Sequence, residues 1–173
     1  MNKRNIIINF YLGKETDDKH RFLSDILKYS DDQLESYHDF IQWLFPLETE
    51  SQYNLLAPLI DKEIRYEFSK NVILQDNLCK SCSRMLHFYG FLCGPPLNIE
   101  SIITCDMNFT KKAENWLSPN NHNHLRLTRI LRSLRLLSLE KCSSKLLLKL
   151  EEIALQNPHK ISKETLHFWQ KTQ

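Results

Sequence analysis

Apolar residues along this chain recur mainly at helical spacing, and one short stretch favours an extended strand. Residues 5–12 (NIIINFYL) are β-branched and aromatic, which predicts an extended segment near the N-terminus. Beyond it the apolar period changes to about 3.6 residues, with Gly or Pro ending several of the runs. We therefore predict an all-α fold, a single domain over residues 1–173 that forms a compact bundle of about seven helices.

The predicted helix 122–139 is apolar on two opposite sides. One side is a normal core-facing stripe, formed by Leu127, Ile130, Leu131, Leu134 and Leu137. Leu125 and Leu136 lie on the other side, among Arg129 and Arg132. A helix of this kind is usually central in its fold, so its arginines are expected in a seam or cleft, where a guanidinium needs an anion in fixed geometry.

The predicted helix 31–45 has a complementary pattern. Ser30 and Gln33 form a capping-box pair at its start, and Pro46 stops it. A helical wheel puts its polar residues in one stripe, beside an apolar one: Glu35, His38, Asp39 and Gln42.

We expect the two polar stripes to face each other and to line one cleft. The N-terminus of helix 122–139 adds backbone N–H groups, which favour an anion such as a carboxylate or phosphate. The candidate ligand-binding residues are Glu35, His38, Gln42, Trp43, Asn123, Arg126 and Arg129.

Composition narrows the class of protein. The 173 residues include 23 Lys and Arg against 21 Asp and Glu, so the strong positive charge typical of a nucleic-acid binder is missing and no nucleic-acid partner is expected. Only three glycines occur, which disfavours a glycine-rich phosphate loop. No apolar run is long enough for a transmembrane helix and no signal peptide is evident, so we expect a soluble, intracellular (cytoplasmic) chain.

The five cysteines do not form a convincing metal or disulfide pattern. Cys79 and Cys82 make one C-x-x-C pair inside a predicted helix, with Cys93, Cys105 and Cys142 at irregular spacing. A structural zinc site needs ligands that converge as a tetrahedron, usually from two such pairs. We expect no metal and no cofactor, and we interpret these residues as reduced, half-buried thiols.

Two long stretches resemble the hallmark segments of the opioid growth factor receptor domain family. They are LESYHDFIQWLFPL (34–47) and NHNHLRLTRILRSLRLLSLE (121–140). Three shorter pieces occur in the expected order: NFYLG (9–13), RMLHFYGF (84–91) and SKETLHFW (162–169). The residues that match the family motifs are Glu35, His38, Gln42, Trp43, Asn123, Arg126, Arg129 and Trp169.

This resemblance implies an α-helical binding domain. Vertebrate namesakes of the family are described as receptors for the opioid peptide met-enkephalin, membrane-associated and nuclear, which implies a peptide ligand and peripheral membrane association. It implies no catalytic activity. His124 stands where the family more often has asparagine, and Cys79 and Cys82 are outside the family pattern.

We therefore expect a binding module that holds a peptide terminus or a small anionic ligand between helices 31–45 and 122–139. In this hypothesis Arg126 and Arg129 hold the negative group, Asn123 donates hydrogen bonds, and Glu35 and Gln42 orient the arginines. Two alternatives remain open. One is an enzyme that uses His38 as an acid/base in the same cleft, and the other is a protein-interaction scaffold without a pocket.

Overall fold

The computed structural model describes residues 6–93 and 103–172, and these residues are mostly helical. Their helices are α1 (Ile6–Tyr11), α2 (Leu23–Ile26), α3 (Asp31–Ser36), α4 (Ile41–Leu44), α5 (Lys62–Lys70), α6 (Val72–Phe88), α7 (Phe109–Ala113), α8 (Asn123–Leu136), α9 (Glu140–Gln156) and α10 (Lys163–Gln170). Strands β1 (Phe91–Cys93) and β2 (Ile103–Cys105) form one antiparallel pair. The predicted helical fold class is confirmed, with more and shorter helices than the sequence indicates.

The prediction of an extended segment at 5–12 is wrong, because residues 6–11 form helix α1. Phe10 and Tyr11 are fully buried, and their rings lie 5.2 Å from Trp43 and 5.0 Å from Phe68, respectively. The Tyr11 hydroxyl also donates to the carbonyl oxygen of Leu44. These tertiary contacts outweigh the strand preference of the isoleucines, which is a weak and context-dependent tendency.

The chain divides into two compact units, Met1–Ser81 and Cys82–Gln173, and the boundary falls within α6. In the first unit, α1 packs on α4 and α5, and the side chain of Asn77 in α6 donates to the carbonyl oxygen of Tyr11. In the second unit, α8 and α9 form a helical hairpin against which α10 packs, and β2 lies on α9. The prediction of a single domain over 1–173 stays a prediction.

Local signals explain several helix ends. The Ser30 hydroxyl accepts from the backbone N–H of Gln33, whose side chain accepts from the Ser30 N–H, so the capping box predicted for α3 is present. The side chains of Asp61 and Ser162 cap α5 and α10 by accepting from the backbone N–H groups of Ile64 and Thr165, respectively. Gly90 follows α6 with φ +87°, a backbone conformation that residues with a Cβ rarely adopt, so glycine suits the end of this helix.

Candidate functional site

The predicted helix 31–45 is not continuous. Helix α3 ends at Ser36, Tyr37 has an extended backbone, and a new turn, α4, begins at Ile41. Ser36–Phe40 (SYHDF) are all weak helix formers, which is the local signal for this break. The wheel that placed Glu35, His38, Asp39 and Gln42 in one stripe is therefore wrong, since it assumes a single helix.

The first-unit residues of the predicted site lie in different environments. Glu35 is half-buried on α3, whereas His38 is exposed between α3 and α4. Gln42 and Trp43 are both almost fully buried in α4. The prediction that this segment and helix 122–139 line one cleft stays a prediction.

Both buried residues of α4 have polar neighbours. The Trp43 indole N–H donates to Asp18 Oδ1 at 2.6 Å, so this ring fills the core and ties α4 to the 17–22 loop. Gln42 Nε2 lies 3.5 Å from the hydroxyl oxygen of Ser51. These contacts position α4 against the loops on either side of it.

An ion cluster in the first unit was not predicted from the sequence. Arg21 pairs with Asp17 at 2.6 Å and with Asp39 at 2.9 Å, and the Asp17 side chain is fully buried. Burial opposes the charge of Arg21, but its hydrogen bonds to Asp17, Asp39 and Tyr29 outweigh that effect and raise its pKa. The four-residue spacing of Asp17 and Arg21 is a visible signal, but only the loop conformation brings Asp39 to the same guanidinium.

In the second unit, a buried polar network surrounds the first turn of α8. Asn123 is fully buried, and its side-chain N–H donates to the carbonyl oxygen of Asn115 at 2.9 Å. Its Oδ1 accepts from Arg126 Nη1 at 3.2 Å and from the Tyr89 hydroxyl at 3.4 Å. One amide side chain therefore joins α8, the loop before it and the end of α6.

The backbone N–H groups of this first turn already have acceptors within the chain. The N–H of Asn123 donates to the side chain of Asn121, and the N–H of His124 donates to the Asn121 carbonyl. The next two N–H groups reach the carbonyl oxygen of His122. The prediction that the N-terminus of this helix offers free N–H groups to an anion is wrong, because the turn before it satisfies them.

His124 and Trp169 form the aromatic side of the network. His124 Nε2 donates to the carbonyl oxygen of Trp116 at 2.8 Å, and the imidazole meets the Trp169 ring edge-on at 5.7 Å. The Trp169 indole N–H donates in turn to the carbonyl oxygen of His124 at 3.1 Å. Burial lowers the pKa of His124, with a smaller contribution from His122, so its ring is neutral near pH 7. Neither His124 nor Trp116 was among the predicted site residues.

The arginines of α8 are withdrawn from water to different extents. Arg126 is only 5% exposed, Arg129 and Arg132 are half-buried, and Arg135 is exposed. Burial, followed by repulsion from Arg132, lowers the pKa of Arg129 to about 10. Arg126 is therefore withdrawn from bulk water and Arg129 is withdrawn in part, while the prediction that they bind a ligand stays a prediction.

In the part of the chain that the structure describes, the remaining chemistry-bearing residues do not converge on a metal centre. All five cysteines are free thiols, and no three His, Cys, Asp or Glu side chains converge as metal ligands within 6–93 and 103–172. Cys79 and Cys82 lie one turn apart in α6. Over the same residues, no helix is both long and apolar enough to cross a lipid bilayer.

Comparison with known proteins identifies the family from the whole chain. Residues 1–172 match the family model of the opioid growth factor receptor conserved region. The chain belongs to the opioid growth factor receptor family. This confirms the resemblance of the segments 34–47 and 121–140.

Curated relatives support the same assignment. The opioid growth factor receptor of Mus musculus is 36% identical over 156 residues, which cover 87% of this chain and 24% of that protein. The receptors of Rattus norvegicus and Homo sapiens are also 36% identical, over 78% and 69% of this chain. The matched part is 23% of the rat protein and 17% of the human protein, so this chain corresponds to a small part of each relative. No solved structure matches the chain.

Proposed function

We propose that this chain is a receptor-type binding domain that holds a peptide or a small anionic ligand by its carboxylate, at Arg126 and Arg129 of α8. The single observation that supports this most is the partial burial of the Arg129 guanidinium, together with its lowered pKa. This guanidinium is half-buried, and burial, followed by repulsion from the charge of Arg132, lowers its pKa to about 10. A bound carboxylate would stabilise both charges through charge-assisted hydrogen bonds.

The charge of the second unit supports an anionic ligand. Cys82–Gln173 contain 13 Lys and Arg against 7 Asp and Glu, whereas Met1–Ser81 contain 10 against 14. The near-neutral charge of the whole chain therefore hides a basic half, and α8 lies in that half. An excess of positive charge attracts anions at long range and increases their association rate.

The buried network explains how α8 could present these side chains. Asn123 fixes one end of Arg126, and Asn123 is itself held by Asn115 and Tyr89. A guanidinium that is already oriented loses less side-chain entropy when it binds a ligand. In this proposal Arg126 is the preorganised contact and Arg129 supplies the main charge.

The proposal is tested by calorimetric titration with met-enkephalin, the opioid peptide that the family resemblance implies, and with its C-terminal amide. We expect the free carboxylate form to bind and the amide to bind at least about tenfold more weakly, since one lost charged hydrogen bond costs roughly 1.5–3 kcal/mol. Arg129→Gln should weaken the carboxylate form to a similar extent. Arg135→Gln, an exposed arginine of the same helix, is the matched control and should leave affinity unchanged.

Equal binding of the carboxylate and the amide would contradict the proposal, as would equal effects of Arg129→Gln and Arg135→Gln. Absence of binding by met-enkephalin and by simple carboxylates such as acetate would favour the scaffold interpretation, in which the α8 network only stabilises the fold. The enzyme alternative depends on His38, and its exposed position between α3 and α4 gives that alternative no specific support.

A further inference from the structure

The loop between α4 and α5 exposes a cluster of large apolar side chains. Tyr53, Leu55 and Leu56 are 71%, 77% and 73% exposed, and Leu59 is 44% exposed. Single exposed apolar residues are common on protein surfaces, but four of them between positions 53 and 59 form a patch of the kind that marks an interaction site. We call residues 51–60 the apolar loop.

Hydrogen bonds within the first unit fix the backbone of this loop. The N–H of Ile60 donates to the carbonyl oxygen of Leu47 at 3.1 Å and closes the loop at its base. Asn54 Nδ2 donates to the carbonyl oxygen of Asp39 at 3.1 Å, and Asn54 Oδ1 accepts from the N–H of Leu56 at 3.0 Å. The exposed side chains therefore stand on an ordered backbone, which lowers the entropy cost of burying them against a partner.

Acidic residues flank the apolar loop on both sides. Residues 48–63 contain four carboxylates and one basic side chain: Glu48, Glu50, Asp61 and Glu63 against Lys62. Glu48 pairs with Arg65 at 2.7 Å, whereas Glu50 is exposed. The loop therefore fits a partner surface that is both apolar and basic, because like charges across an interface oppose association. An anionic lipid surface does not meet this requirement.

The outer face of α8 has the complementary composition. On a helical wheel, four of its residues lie within about 60° of one another: Leu125, Arg129, Arg132 and Leu136. Leu125 is 57% exposed, and the other three are half-buried. These four residues, which we call the α8 outer face, belong to the basic unit of the chain, whereas the apolar loop belongs to the acidic unit. A second copy of the chain therefore offers the loop both apolar contact and opposite charge.

We propose that the chain associates with a second copy of itself, through contact of the apolar loop of one copy with the α8 outer face of the other. The contact joins two different surfaces and involves few side chains, so the association is weak and reversible. This inference goes beyond the proposed ligand binding and does not depend on it. Because Arg129 takes part in both, the experiment contains no peptide, so that either proposal can fail alone.

The test is sedimentation velocity of the full chain at concentrations from about 5 to about 500 µM. We expect the weight-average sedimentation coefficient to rise with concentration, and to rise less when NaCl is increased from about 50 to about 500 mM, which screens the charges. Leu55→Gln should weaken the association at least about tenfold, because it removes one buried leucine from the contact. Leu155→Gln is the matched control, since this leucine of α9 is 78% exposed and should leave the association unchanged.

A charge exchange tests the choice of partner surface. Glu50→Lys and Arg132→Glu should each weaken the association, because each places like charges across the contact. The double variant should associate again, since the exchanged charges attract each other. If Arg132→Glu does not fold, Leu125→Gln is the second variant on the α8 outer face, and it should weaken the association as Leu55→Gln does.

A sedimentation coefficient that stays constant over this concentration range would overturn the proposal. Equal effects of Leu55→Gln and Leu155→Gln would do the same, as would a double variant that associates no better than the single ones. Cosedimentation of the chain with phosphatidylcholine vesicles, lost in Leu55→Gln and without self-association, would show that the loop contacts lipid and not a second copy.

Discussion

The polar clusters of the two units are built from different chemistry. In the first unit, Arg21 is held between Asp17 and Asp39, and the Asp39 side chain retains 35% of its surface in water. In the second unit, the network around Asn123 and His124 uses a neutral amide and a neutral imidazole, both almost fully buried. The first cluster therefore balances a buried carboxylate with an opposite charge, whereas the second joins buried groups, including Arg126, through neutral donors and acceptors.

This difference predicts where each unit is sensitive. Removing one member of a buried network destabilises the protein, because the remaining polar groups cannot form hydrogen bonds with water instead. A partly exposed ion pair loses little when its outer partner is removed. We therefore expect truncations within the buried network to cost more stability than removal of the outer partner of the ion cluster.

Truncation of the aromatic side of the α8 network should have the largest effect. Trp169→Ala removes a fully buried indole that also donates to the carbonyl oxygen of His124. We expect a loss of about 3–5 kcal/mol in the free energy of unfolding, measured by urea denaturation. Phe168→Ala, at the neighbouring exposed position, is the control and should cost less than about 1 kcal/mol. Equal losses for the two variants would show that Trp169 is not the residue through which α10 stabilises the fold.

Removal of the central amide should have the next largest effect. Asn123→Ala removes one of the two side-chain donors to the Asn115 carbonyl and takes a buried acceptor away from Arg126 and from the Tyr89 hydroxyl. We expect a loss of about 2–3 kcal/mol in the free energy of unfolding. Gln156→Ala, an exposed amide in α9, is the control and should change stability by no more than about 0.5 kcal/mol. A neutral effect of Asn123→Ala would contradict a network role for this residue.

The ion cluster offers a matched pair of variants. Asp17→Asn removes a buried carboxylate and leaves Arg21 less compensated, so we expect a loss of about 2 kcal/mol. Asp39→Asn removes the outer, more exposed partner and should cost about 0.5 kcal/mol. The two free energies of unfolding are compared at low and high salt, and a larger effect of Asp39→Asn would reverse the assigned roles.

His124 should give the smallest effect, visible as a pH dependence. Burial lowers its folded-state pKa below the ordinary value of 6.5, so the unfolded chain takes up a proton first as the pH falls. The contribution of His124 to stability is therefore fully present above pH 6.5 and is lost as the pH drops through the lower folded-state pKa. His124→Gln should flatten this part of the curve of unfolding free energy against pH. An unchanged slope would show that other groups cause the pH dependence.

The sequence predicts the apolar faces better than it predicts helix continuity. The core-facing residues of α8 and its C-cap, from Leu127 to Leu137, are buried as their spacing predicts, because a regular period repeats over about three turns. The segment 31–45 shows a similar period over its apolar residues, but five weak helix formers interrupt it at Tyr37. Periodicity places side chains on a face only if the backbone stays helical throughout.

The candidate site was predictable only in part, for the same reason. Arg129 could be singled out because Leu125 and Leu136 share its side of α8. The roles of Asn121 and Asn115 depend on the loop before α8, where Asn120 has φ +55°, and no spacing rule fixes that conformation. Similarly, the Arg21 cluster depends on how the 17–22 loop meets Asp39.

The central claim is that the α8 arginines bind a carboxylate, and the most direct measurement is NMR of the arginine side-chain Nε–Hε groups during a titration with met-enkephalin. Arg129→Lys assigns the signal of Arg129. We predict that the free carboxylate peptide shifts the Arg129 signal, and the Arg126 signal with it, while the C-terminal amide leaves both in place. Signals that stay unchanged with the carboxylate, or that move equally with the amide, would contradict carboxylate binding by these arginines.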